Sequence, residues 1–105
     1  MTRGEIWLVN LDPAIGSEIS KTRPCVVVSP GEMHHHLRTV LVAPMTTAGH
    51  EAPFRIGVNH GGRKGLILLD QIRAVDKTRL AKKLGVVSAK TLTATLRTLQ
   101  EVFAE

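Results

Sequence analysis

Between Gly16 and Pro24 the chain places Ser17, Glu18, Ser20, Lys21, Thr22 and Arg23 immediately before the apolar run Cys25-Val26-Val27-Val28. An arginine at the lip of a buried strand is a fixed positive charge held at a cleft or at the solvent boundary, and its planar fork of donors matches a phosphate. With a pKa above about 12 it donates protons poorly, so its natural task is to stabilise charge. Thr46 and Thr47 follow Pro44-Met45. A threonine hydroxyl can donate to an oxyanion or hold a reacting hydroxyl in line, and at a strand end it equally satisfies local backbone groups. Asp70 stands among apolar neighbours in Leu66-Ile67-Leu68-Leu69-Asp70-Gln71-Ile72. A partly desolvated carboxylate of this kind has a raised pKa suited to a general base. The competing reading is structural, a carboxylate accepting hydrogen bonds from the backbone or from Arg73.

The run His34-His35-His36 invites a metal, but adjacent histidines in a strand project to alternating sides and seldom converge on one ion. A solvated turn is expected there, and neither a metal nor a cofactor. His50 and His60 fall in Gly-rich polar loops, where partial protonation strengthens phosphate binding. Lys21, Arg38, Arg55, Arg63 and Lys64 lie in or beside the loops between strands, where a groove tracking a phosphate backbone needs them. Lys and Arg outnumber Asp and Glu by 14 to 9, a net charge of +5 that favours a polyanionic partner. Aromatic residues are only Trp7, Phe54 and Phe103, which leaves no platform for stacking bases.

These residues need a rigid frame, and 105 residues suit one domain, here 1–105. A hydrophobic fraction of 43% supplies a core, and at this size dimerisation adds burial. The single Cys25 cannot form an internal disulfide and behaves as a small hydrophobe, which fits a cytoplasmic setting. No apolar stretch reaches the ~18 residues of a membrane span, so no membrane partner is expected. Five β-type runs are bounded by turn residues: Ile6 to Leu11, Cys25 to Val28, Thr39 to Ala43, Phe54 to Val58 and Leu66 to Val75. Asp76 to Val87 reads as a turn followed by a closing strand. From Ser88 onward the pattern is helical, with Ser88 as N-cap, Val87 and Leu92 as a staple, and Leu92, Leu96, Leu99 and Phe103 on one face. The expected fold is mainly β (α+β), a small antiparallel barrel carrying a C-terminal amphipathic helix.

Five motifs in order give the chain a resemblance to a known family: Arg3-Gly4-Glu5-Ile6-Trp7; Asp12-Pro13 with Gly16-Ser17-Glu18; Thr22-Arg23-Pro24 leading into Cys25-Val26-Val27-Val28-Ser29-Pro30; Val42-Ala43-Pro44-Met45-Thr46-Thr47; and Leu69-Asp70-Gln71-Ile72-Arg73 before Asp76 and Arg79-Leu80. Over nearly its whole length the chain resembles the MazF/PemK toxin endoribonucleases. The resemblance implies an SH3-like barrel, a homodimer, an acidic antitoxin partner, and metal-independent cleavage of single-stranded RNA through attack by a 2′-hydroxyl. Arg23 matches the family's catalytic arginine and Thr46 its catalytic threonine, while some PemK-type members use an aspartate where this chain has Asp70. Ser17, Glu18, Lys21, Thr47 and Gln71 are the expected substrate-binding residues. Certain relatives carry histidine where this chain has Ser17, so the arginine–threonine form of the chemistry is expected. Two rival readings remain on the same barrel: a gyrase poison like CcdB, and a catalytically silent nucleic-acid-binding barrel.

Overall fold

The computed structural model describes residues 1–105. Seven strands and two helices follow in the order β1 (Glu5–Asn10), β2 (Thr22–Val27), α1 (Gly31–His36), β3 (Thr39–Thr46), β4 (Arg55–His60), β5 (Arg63–Leu68), β6 (Arg73–Asp76), β7 (Leu80–Val86) and α2 (Ala89–Val102). Every pairing is antiparallel, in the order β4-β5-β3-β2-β1-β7 with β6 also on β3. The result is a curled half-barrel with a C-terminal helix.

The run Cys25-Val26-Val27-Val28 lacks polar alternation because both faces of the sheet are covered. Val26 and Val28 join Ile6, Met45, Ile67, Leu69 and Val87 in one core, against which Leu92 and Leu99 of α2 pack. Cys25 and Val27 point the other way, into a core with Val9, Leu11, Val40, Val42, Val75 and Leu80. Burial pushes the Cys25 thiol up to about 12 against the lowering pull of Arg73 and Arg23. Thiolate, the reactive form, is therefore scarce at pH 8. Native protein should resist alkylation by iodoacetamide at that pH and react readily once unfolded in guanidinium; mass spectrometry of the Cys25 peptide reads both.

Several expected boundaries move, each for a tertiary reason. β3 does not stop at Ala43: Pro44 is buried opposite Cys25, and the strand continues to Thr46. The expected strand from Leu66 to Val75 is two strands divided by a 3₁₀ turn at Leu69–Gln71. The jog exists because β5 pairs with the end of β3 at Met45 and Thr46, whereas β6 pairs with its beginning from Thr39 to Val42. β4 extends past Val58 to His60, closing a hairpin over Gly61-Gly62 with His60 opposite Arg63. Asp76 to Val87 is a 3₁₀ turn followed by β7, as the sequence predicts.

The three histidines are not a solvated turn. They end helix α1, where His35 and His36 are exposed and His34 is buried. The His34 ring meets Ser29 Oγ at 2.6 Å and the Met1 carbonyl at 3.0 Å, and Leu41 N–H donates to the same Ser29 oxygen. This network ties the N-terminus to the β2–β3 connection.

Helix α2 begins as expected: Ser88 Oγ accepts from Thr91 N–H at 3.1 Å, and Val87 and Leu92 meet beside Gly4. Gly4 has φ of +93°, and a Cβ there would lie 3.2 Å from Leu92, so the first turn needs glycine on both counts. Phe103, just past the last turn, lines a shallow groove with Leu96 and Leu99 but stays 71% exposed, while Thr95 is fully buried with its hydroxyl donating to the Thr91 carbonyl. Neither helix is long and apolar enough to cross a membrane.

The carboxylate of Glu5 is nearly buried at the start of β1. It accepts from Trp7 Nε1 at 3.0 Å and Thr2 Oγ1 at 2.8 Å, with Lys83 Nζ at 3.2 Å. Burial alone would raise its pKa, but these donors outweigh burial and bring it down to about 2.

Candidate active site

β2 and β3 run antiparallel with Cys25 opposite Pro44 and Val26 opposite Ala43. Continuing that register brings Arg23 level with Thr46, so two residues distant in sequence are delivered to one place by strand pairing alone. Both line a cleft of about 230 Å³ together with Pro24, Met45, Thr47, Val58, His60, Arg63 and Gly65. Arg23 Nε donates to the Ser20 carbonyl at 2.9 Å, which orients the side chain; no protein group accepts from its terminal nitrogens and no carboxylate pairs with it. Glu18 is not its partner, since Glu18 Oε1 accepts from Ile15 N–H within its own loop.

Thr46 Oγ1 accepts from Ala48 N–H at 3.1 Å, the local backbone role expected of a strand-end threonine. That bond uses a lone pair and leaves the hydroxyl proton free to be donated into the cleft. Thr47 is exposed beside it. Gly65 forms part of the wall, where a Cβ would lie 2.9 Å from the Thr46 carbonyl oxygen. Since that atom is backbone in a paired strand, it cannot yield cheaply. Gly65→Ala should destabilise the protein by about 1–3 kcal/mol, as overpacking does, and displace Thr46. Thermal denaturation checks the first effect and RNA cleavage at a temperature where the variant stays folded checks the second.

The remaining expected residues are elsewhere. Ser17, Glu18, Asp70 and Gln71 line a second cleft of about 570 Å³ with Pro13, Ile19, Ile72 and Arg73. Asp70 is gripped by Arg55, whose Nε and Nη2 each donate to one carboxylate oxygen at 3.1 Å. Those bonds outweigh partial burial and hold the Asp70 carboxyl below its ordinary range. The expectation of a raised pKa is thereby corrected, and the partner is Arg55 rather than Arg73, which donates to the Leu11 carbonyl. Gln71 Oε1 accepts from Ile19 N–H at 2.7 Å and so pins the polar loop to the 3₁₀ turn, leaving its amide N–H₂ to the cleft. Lys21 lines neither cleft: it sits at φ of +71°, its N–H donating to Asp12 Oδ1 and its carbonyl accepting from Leu11 N–H.

The sequence read His60 and Arg63 as loop residues suited to a phosphate backbone without placing them beside Arg23 and Thr46, and the structure joins the four in one cleft. The signal was the Gly61-Gly62 pair, a two-residue hairpin turn that sets the residues flanking it opposite one another. Among all side chains, no group of three or more His, Cys, Asp or Glu lies close enough to hold a metal ion.

Residues 2–103 match the family described as PemK-like, MazF-like toxin of type II toxin-antitoxin system. The chain is 39% identical over 90 residues to the endoribonuclease PemK of Escherichia coli, covering 80% of this chain and 68% of that protein. It is 35% identical over 96 residues to the endoribonuclease MazF of Staphylococcus saprophyticus, covering 86% and 80%. Among solved structures it is similar in fold to MazF from Deinococcus radiodurans, with a TM-score of 0.88 over 100% of this chain and 97% of that one at 24% identity. The MazE–MazF complex from the same organism aligns with a TM-score of 0.80 at 23% identity, covering 99% and 95%. Arg23 and Thr46 thus meet in a cleft on a half-barrel whose sequence carries the family pattern almost from end to end, and the chain belongs to the PemK-like, MazF-like toxins of type II toxin-antitoxin systems.

Proposed function

We propose that residues 1–105 act as one toxin domain that cuts single-stranded RNA at short sequences without a metal ion, in the cytoplasm, so arresting translation. The observation that carries this reading is the convergence of an unpaired Arg23 guanidinium and a Thr46 hydroxyl in one cleft. Attack of a ribose 2′-hydroxyl on its neighbouring phosphodiester spreads negative charge over the phosphorane oxygens. A preoriented guanidinium and a hydroxyl donor stabilise that charge without reorganising.

The second cleft suits the flanking nucleotides. Its Glu18 and Asp70 carboxylates accept from amino groups on base edges, while Gln71 and Arg73 donate to carbonyl oxygens. In this reading Asp70 contributes to substrate binding as an ionised acceptor, and Ser17 and Thr47 line the RNA path. Lys21 supplies charge at the loop rather than a contact in either cleft. The names PemK and MazF attach to endoribonucleases, and MazE–MazF complexes stand among the structures of like fold, which supports an antitoxin partner here. With a net charge of +5 the chain favours an acidic antitoxin, and the resemblance together with the small size of the domain supports a homodimer. A gyrase poison or silent binder has no need of Arg23 and Thr46 in one cleft.

Incubating purified protein with a long single-stranded RNA in EDTA tests the reading. Discrete cuts at a repeated short sequence are expected, and RNA left intact across diverse sequences would defeat it.

A further inference from the structure

Phosphodiester cleavage needs a proton for the departing 5′-oxygen, and the cleft offers few sources. Its ionisable side chains are Arg23, Arg63 and His60; no carboxylate lines it. A guanidinium holds its protons too tightly to transfer them near neutral pH, and a threonine hydroxyl is a weaker acid than the alkoxide's conjugate requires. Asp70 is in the other cleft, paired with Arg55. An imidazole is the side chain whose proton is exchangeable in the physiological range.

The fold explains how His60 gets there. Along the β4–β5 hairpin, Ile56 is opposite Ile67, Val58 opposite Gly65, and His60 opposite Arg63, so these six residues share one face. That face begins in the core with Ile67, narrows where Gly65 lets the strand lie against Thr46, and emerges at the tip as an imidazole beside a guanidinium. His60 is half-buried, and no protein group engages its ring or the Arg63 guanidinium. Lys64 and Glu51 line a different groove.

Resting on the ribonuclease reading above, we propose that His60 is the general acid of this site and that Arg63 holds the phosphate beside it. The 2′-oxygen forms its bond to phosphorus and the bond from phosphorus to the 5′-oxygen breaks. The protonated His60 ring gives its proton to the 5′-oxygen, and water in the open cleft takes the 2′-hydroxyl proton. The products are a 2′,3′-cyclic phosphate and a 5′-hydroxyl, and His60 regains a proton from solvent. The phosphodiester itself, lying between Arg23 and Arg63, supplies the negative charge that favours the protonated ring.

The test compares wild type, His60→Ala, His60→Gln and Arg23→Ala on a short RNA spanning one mapped cut. One form carries the ordinary linkage and the other sulfur in place of the 5′-bridging oxygen, a leaving group that departs without a proton. The His60 variants should cut the ordinary RNA about 10²–10⁴-fold more slowly, the usual range for a lost general acid, and cut the sulfur-linked RNA within about tenfold of wild type. Arg23→Ala should be impaired on both. Ordinary cleavage unchanged in the His60 variants, or a loss equally large on both substrates, would overturn the assignment while leaving the ribonuclease reading in place. Failure of wild type to cut any RNA would overturn both. Circular dichroism melts of the variants verify that each is folded.

Discussion

Arg23→Ala should lower RNA cleavage by about 10²–10³-fold, the usual loss when one preoriented donor to a developing oxyanion is removed. The protein should remain folded, because the side chain contributes a single hydrogen bond, to the Ser20 carbonyl, and no ion pair. Losing such a bond costs about 1 kcal/mol. Arg23→Lys should restore only part of the activity: an ammonium keeps the charge but not the fork that engages two phosphate oxygens. Single-turnover rates on a defined RNA, read beside thermal melts, separate chemistry from folding. Activity in Arg23→Ala within about tenfold of wild type would mean that the guanidinium binds but does not stabilise the transition state.

Glu5→Gln should cost the fold about 3 kcal/mol at pH 7, from the gap between an ordinary value of 4.5 and a folded value of about 2. For a protein of this size that lowers the melting temperature by roughly 10–20 °C. The sign follows from the direction of the shift. A carboxyl depressed in the folded state binds its proton more readily when unfolded, so its contribution is complete above pH 4.5 and disappears as pH falls toward 2. The difference in melting temperature between wild type and variant should therefore shrink over that window, whatever other groups do to both proteins. A difference constant from pH 7 to pH 2 would show that the Trp7, Thr2 and Lys83 contacts do not hold the carboxylate ionised.

Local signals carried much of this molecule. Ser88 capped its helix because an N-cap needs only its own sequence neighbourhood, and Arg23 and Thr46 stood out because each belongs to a compact motif. What escaped depends on partners distant in the chain. Asp70 among leucines reads as desolvated until β4 brings Arg55 across to it, 15 residues away. His34 reads as one of three solvated histidines until helix α1 turns one ring inward to Ser29 and the Met1 carbonyl. Phe103 fits the apolar period of α2, yet the core it would join ends at Leu99, and Thr95 takes the buried position instead. His60 and Arg63 fell outside the expected site because their role depends on hairpin register and on Gly65 lying against Thr46. The same dependence separated one expected set of residues into two clefts.

In the proposed reaction the RNA's own 2′-hydroxyl is the nucleophile in the Arg23–Thr46 cleft. The most direct measurement takes an RNA with one mapped cut, replaces the ribose 5′ to the scissile phosphate by deoxyribose at that position alone, and analyses products in EDTA. The unmodified RNA should yield a 2′,3′-cyclic phosphate and a 5′-hydroxyl, and the single deoxy substitution should abolish cleavage. A cut that persists at the deoxy position, or a 5′-phosphate product, would contradict it.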